Sequence, residues 1–228
     1  MTRESNAGTV LAVRVAPRRR LALRHRSTGG WLLLALVLAA AATAGGSHAA
    51  ARHAALSPGT WCGGSRWRLM TLSDTDRKRV NLHSQPTSIA QIAGLHSPAR
   101  YTQRRSTPFE RQVWRMQTVV DRYRIASNGE IVLVLYSIAS GQYMNAYMPN
   151  PDCLGRKARD RSGVVAARAA LHEHCPQVTD QYQLIGATVD VAGVGFWNPV
   201  RTTRGALPNG AELRPVTNFR LIAGCGVG

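Results

Sequence analysis

The chain has 228 residues, 44% of them hydrophobic and 18% charged, with 21 glycines and 11 prolines. That length suits one ordinary domain plus extensions, and that balance excludes both a disordered chain and a polytopic membrane protein. The formal net charge of +17 is unevenly spread, because the first fifty residues hold seven arginines against one glutamate, leaving 22 basic and 11 acidic side chains for the rest. Only Lys78 and Lys157 of those 22 are lysines. Arginine pairs bidentately with phosphate and carboxylate and stacks on rings. An excess of it therefore reads either as the base composition of the genome or as contact with a polyanion.

The leading segment joins "RVAPRRRLALRHR" to the apolar run 31–44, "WLLLALVLAAAATA", and then to "GGSHAAA". A basic n-region, a short h-region and an A-x-A-like end describe a secretory signal peptide over residues 1–49, with cleavage expected after Ala44 or Ala49. The run of apolar residues falls short of the roughly 20 that span a bilayer as a helix. An uncleaved anchor is the alternative, since the n-region is long, and Arg18 to Arg20 also permits a twin-arginine signal. The expected location is exported, periplasmic or extracellular, without stable membrane insertion once the segment is removed.

Four cysteines, Cys62, Cys153, Cys175 and Cys225, then read as two disulfides with three possible connectivities. "HEHC" also gathers His172, His174 and Cys175, but residues two apart on a helix point away from each other, so no metal is expected there.

In chain order, "WCGGSRWRLMTLSD" alternates Trp67, Leu69 and Thr71 and predicts a short edge strand. "PTSIAQIAGL" predicts a helix that starts at Thr87 or Ser88 and stops at Gly94, and "HSPARYTQRRSTPFE" reads as a linker. Residues 50–110 thus form an N-terminal extension. From Val113 the apolar residues Trp114, Met116, Thr118 and Val120 alternate, and the phase then moves to Tyr123 and Ile125, as at a β-bulge. Asn128-Gly129 predicts a type I′ hairpin, Ser140-Gly141 a second turn, and Met144, Ala146 and Met148 the inner side of a third strand. A helix capped by Ser162 and ended by Pro176 follows, with Val164, Val165, Ala167 and Leu171 as its apolar stripe. Two more strands close the chain: Gly193 and Gly195 mark a bend, Pro208-Asn209-Gly210 a turn, and Leu213, Val216 and Phe219 the return. The expected strands lie near 113–126, 130–138, 142–148, 187–197 and 211–222, with the helix near 163–174. The predicted class is all-β with one helix (α+β): residues 111–228 form a five-stranded OB-like Greek-key barrel in the order β-β-β-α-β-β.

The blocks "CGGSRWRLMTLSD", "PTSIAQIAGL", "TPFE", "MPNPDC" and the Gly-x-Gly-Phe to Asn-Gly-x-Glu-Leu-Arg-Pro end resemble, in order, a family of exported bacterial proteins with no assigned activity. The likeness runs from about Trp61 to Phe219. It implies a Cys62–Cys153 bridge, leaving Cys175 to Cys225, with a Cys153–Cys175 bridge as the rival. The sequence departs from the pattern at Asn198, where the family has Asp, and at Arg214, where it has His.

No Gly-x-Ser-x-Gly elbow is present. A metal-dependent hydrolase or nuclease, the alternative function, would have to draw its ligands from Asp121, Asp190 and Glu212, whose spacing matches no known pattern. Binding without catalysis is the main expectation. OB barrels use the face of strands two and three with stacking rings and a basic track. Tyr136, Tyr143 and Tyr147 are the expected rings, and Arg201, Arg204 and Arg214 the expected charges; the competing reading has the tyrosines covering the core beneath the extension. Expected partners are an anionic polymer, nucleic acid or glycan, or an envelope component, with no cofactor. An accessory module of the cell envelope fits the same features.

Overall fold

Residues 62–225 are described by the computed structural model. The expected signal segment, 1–49, and residues 50–61 of the extension lie outside them. Along the chain come α1 (Trp67–Met70), β1 (Asn81–Pro86), α2 (Ile89–Ala93), β2 (Gln112–Ile125), β3 (Ile131–Tyr136), β4 (Tyr143–Met148), α3 (Arg161–His174), β5 (Gln183–Trp197) and β6 (Ala211–Ala223). The protein is mostly sheet with few helices. No helix among the described residues is long and apolar enough to cross a membrane.

The sheet has six strands, one more than expected, in the order β1-β2-β3-β4-β6-β5, and β2 pairs with β5 as well, so that β2, β3, β4, β6 and β5 close into a ring. The β4–β6 pairing is parallel and the other ring pairings are antiparallel. β1 lies outside the ring, parallel to the start of β2. Its sequence, "NLHSQP", is almost wholly exposed and shows no alternation, which is why no strand was expected there.

The alternation that predicted β2 has a physical counterpart. Met116, Thr118, Val120 and Tyr123 are buried, and the register shifts between Val120 and Arg122 against both neighbours. One extra residue lets β2 serve β3 and β5 together and reverses the parity of everything after it. The hairpin that follows differs from expectation. Gly129 has φ 76°, but Asn128 keeps a negative φ; Ala126 N–H donates to Glu130 O at 2.8 Å and Gly129 N–H to Ala126 O at 2.8 Å. The loop is therefore a three-residue turn with glycine in the left-handed position rather than a type I′ pair.

Two further expectations are corrected. The predicted edge strand is the helical turn α1, in which Thr71 donates its N–H and its hydroxyl to Trp67 O. Four residues of apolar–polar alternation do not distinguish a strand from one helical turn. α3 begins at Arg161, preceded by Asp160 with φ 55°, and not after Ser162. Its stripe of Val164, Ala167 and Leu171 is buried as expected, with Val165 half-buried, and α3 packs on β6. α2 agrees with its prediction: Ser88 accepts from Gln91 N–H and Gly94 ends it.

The extension is fastened to the ring by side chains that a linker reading passes over. Ile89 and Ile92 join the main core, and Arg105 is fully buried, donating to Asp74 Oδ2 at 2.9 and 3.2 Å, to Glu110 O at 2.9 Å and to Leu69 O at 2.7 Å. Gly195 admits the 3-10 turn Phe109–Arg111 against β5, because a Cβ there would lie 2.2 Å from Phe109 O. Cys62 is bonded to Cys153 and Cys175 to Cys225, the pairing that the resemblance implied.

Titration of the unfolded, non-reduced protein is expected to find no free thiol. The Cys175–Cys225 bridge spans 50 residues. Replacing both members, Cys175→Ser with Cys225→Ser, is expected to lower stability by about 4 kcal/mol on the chain-entropy argument, read as a fall in the urea midpoint.

Candidate functional site

The bulge in β2 turns Arg122 and Arg124 to the outer face of the ring. Directly opposed residues share a face. The register therefore sets two outer rows, Arg122–Val134–Asn145 and Arg124–Val132–Tyr147, with Tyr136 opposite Tyr143 beyond them. The loop from Asn198 to Gly210 folds back over these rows. Gly205, at φ +80°, makes that approach possible, since a Cβ would lie 2.6 Å from Val134 Cγ1 and 2.8 Å from Asn145 Oδ1.

At the margin of the loop lies a hollow of about 250 Å³ lined by Asp121, Arg122, Val134, Tyr143, Arg204 and Gly205. Tyr143 is 41% exposed, and its ring centroid is 4.7 Å from that of Tyr136. Beside the hollow the guanidinium groups of Arg124 and Arg204 lie 5.1 and 5.9 Å from the ring of Tyr182. Asn145 is 1% exposed, and neither its amide nitrogen nor its oxygen has a hydrogen-bond partner among the described residues. Buried polar atoms are nearly always paired, so this amide is an exception.

Beneath the loop the outer face is charged but closed. Arg214 grips Glu130 with two bonds, Nε to Oε1 at 3.1 Å and Nη2 to Oε2, and reaches Glu212 Oε1 with Nη1 at 3.4 Å. Its guanidinium lies 4.3 Å from the centre of the Tyr147 ring. Asn198 donates to the other oxygen of Glu212 at 3.1 Å. Arg66 completes the layer from the extension: it lies 4.3 Å from the Phe196 ring, donates to Trp197 O and meets Glu110 at 3.5 Å. Burial raises the Glu212 carboxyl to about 7, with Arg214 opposing the rise and Glu130 adding to it. Burial alone would lower Arg214; Glu130 and Glu212 outweigh it, and the guanidinium is raised. Burial likewise raises the Tyr147 phenol and lowers Arg168 to about 10.

The six side chains expected to bind a ligand therefore separate. Tyr136, Tyr143 and Arg204 gather at the hollow. Tyr147 and Arg214 are buried against each other, so neither is a surface contact. Arg201 is exposed but donates to Tyr101 Oη at 2.7 Å. The tyrosines divide in the same way: Tyr147 covers the core and Tyr143 does not.

The three carboxylates considered as metal ligands are apart and engaged. Asp121 accepts from Arg122 at 2.6 Å, Asp190 from Arg115 and Arg220, and Glu212 from Arg214 and Asn198. No group of three His, Cys, Asp or Glu side chains suited to a metal occurs among the described residues. Residues that sequence reasoning missed are Arg122, Arg124, Asn145, Tyr182 and Glu130. The first two were within reach, because the phase shift that points Tyr123 inward points its neighbours outward.

The raised carboxyl of Glu212 sets a pH dependence. Its ordinary value is 4.5 and its folded value about 7, so between these the folded protein holds a proton that the unfolded chain has lost. Stability from this group is complete below 4.5 and is lost as pH rises through about 7, on the order of 3 kcal/mol if the whole shift is expressed. Glu212→Gln is expected to flatten that slope in urea midpoints measured from pH 4.5 to 8.

The chain matches no family model and none of the curated proteins with which it was compared.

Proposed function

We propose that the protein is an exported, disulfide-stapled module that binds anionic polymers without turning them over, on an OB-like barrel. The ring order β2-β3-β4-β6-β5, with α3 between β4 and β5, supports the barrel reading, since an OB-fold also closes five strands on themselves. Two disulfides support an oxidising compartment.

One observation carries the binding reading: the exposed ring of Tyr143, backed by Tyr136, stands in the same hollow as Arg122 and Arg204. Rings that accept stacked groups, set among arginines that follow a charged backbone, are the elements of sequence-tolerant polymer binding on such barrels. Affinity from the two arginines that line the hollow is weak. The alternative, a metal-dependent hydrolase or nuclease using Asp121, Asp190 and Glu212, is opposed by the arginines that already neutralise each of them. Binding an envelope component in an accessory role draws on the same face.

The test is a titration of the purified full chain with oligothymidylate and with heparin at two ionic strengths, while strand cleavage is followed with and without divalent metal. Affinity is expected to fall log-linearly with salt, because each neutralised anion releases counterions. Tyr143→Ala is expected to weaken nucleic-acid binding by about 1–3 kcal/mol, and Arg204→Gln to reduce the salt slope by about one. Absence of binding at low salt rejects the proposal in favour of a structural role. Metal-dependent cleavage abolished by Asp190→Asn revives the enzyme.

A further inference from the structure

A larger groove, of about 600 Å³, opens on the outer side of β2, β5 and β6 and shares no lining residue with the hollow at Tyr143. Its accessible lining is mostly polar, and at its base Val113 and Ala192, both buried, and Leu82 continue into the small cluster that packs the extension on the ring. Its rim is polar. Asp190 is almost buried and receives Arg115 Nε on Oδ1 at 2.8 Å, with Arg115 Nη2 and Arg220 Nη2 on Oδ2. Both arginines are more than half exposed, at 54% and 63%. Arg115 Nη1 and Arg220 Nε and Nη1 donate to nothing among the described residues. Ser84 and Asn218 stand exposed on the rim, and Asp160 adds a second carboxylate.

We infer that this groove binds one or two units of an uncharged sugar. The volume lies within the 300–1,000 Å³ of small-molecule sites. Two guanidinium groups face two carboxylates, so the lining is formally neutral and gives a charged ligand no net attraction. What it does offer is donors and acceptors side by side, with a small apolar base at Leu82. A pyranose ring presents the matching surface, one C–H face and an edge of vicinal hydroxyls, each of which both donates and accepts. The Arg115–Asp190–Arg220 clamp fixes the donors beforehand, which reduces the ordering that binding would otherwise require. The groove contains no exposed ring, so nothing in it favours a nucleobase.

The inference does not rest on polymer binding at Tyr143, and the experiment separates the two. Cellobiose, maltose and glucuronic acid are titrated into the full chain by ligand-observed NMR at low and high salt. A neutral disaccharide is expected to bind with an affinity in the millimolar range that salt leaves unchanged. Arg220→Gln is expected to weaken it about tenfold, the loss of one charged hydrogen bond. Asn218→Ala is expected to weaken it less, and Tyr143→Ala not at all. These are surface positions, and an unchanged melting temperature verifies the fold of each variant. Failure of both disaccharides to bind, an unchanged affinity in Arg220→Gln, or tighter and salt-sensitive binding of glucuronic acid would each overturn the inference, whatever the Tyr143 face does.

Discussion

The ion pair between Arg214 and Glu130 is the contact on which the outer face of the ring depends. It joins the start of β3 to β6 across the face that the long loop covers, and both side chains are nearly inaccessible, at 8% and 2%. Taking such charges out of water is expensive, and the expense is met only when every donor finds an acceptor. Arg214 meets the condition with two carboxylates and the face of an aromatic ring. Removing Glu130 would leave a buried cation with one distant partner, and Glu212, now nearest, would be drawn to ionise. The loop can therefore lie flat on this layer only while the layer is paired.

The same logic reassigns much of the chain's positive charge. Arg66, Arg105 and Arg214 are buried, and Arg168 and Arg159 spend their donors on backbone carbonyls of Gly129, Met148, Arg77 and Val80. A guanidinium has five donors in a fixed fork, which suits it to tie together loops whose carbonyls have no strand partner. The basic excess is thus partly a structural material. Exposed arginines, such as Arg204 and those flanking Asp190, remain to meet a ligand.

Much of the fold was legible because it is written in parity. Met116, Thr118 and Val120 inward, then Tyr123 inward one residue out of phase, locate the bulge and the double role of β2 without any structure. The turn residues located the ends of the strands. β1 was illegible because an exposed edge strand needs no apolar alternation: it is held by its pairing with β2 and by side-chain bonds to Gln112, with Leu82 as its one half-buried residue. α1 misled because its apolar spacing is too short to have a period. At the site, parity correctly put Tyr143 and Tyr147 on one face, but it could not tell which of them the loop would cover, since that depends on Gly205 and on the long-range meeting of Arg214 with Glu130. The linker appeared featureless for a related reason. Arg105 is separated by 31 residues from Asp74, and no local pattern announces a pair so distant.

Asn198 and Arg214 meet at one carboxylate, that of Glu212. Asn198 binds one oxygen of Glu212 and Arg214 approaches the other. With aspartate and histidine at those positions the same place would hold three ionisable groups, or a set of ligands for a cation. Asparagine does not ionise, and arginine does not release its proton. What remains able to titrate is Glu212 itself, fully enclosed and facing a permanent cation. A group so placed can register pH through stability, but it lacks a path to a substrate. Asn198 and Arg214 thus make this a constellation suited to holding a loop, and they leave the exposed face beside it, with Tyr143 and Arg204, as a part of this end of the molecule that can meet another.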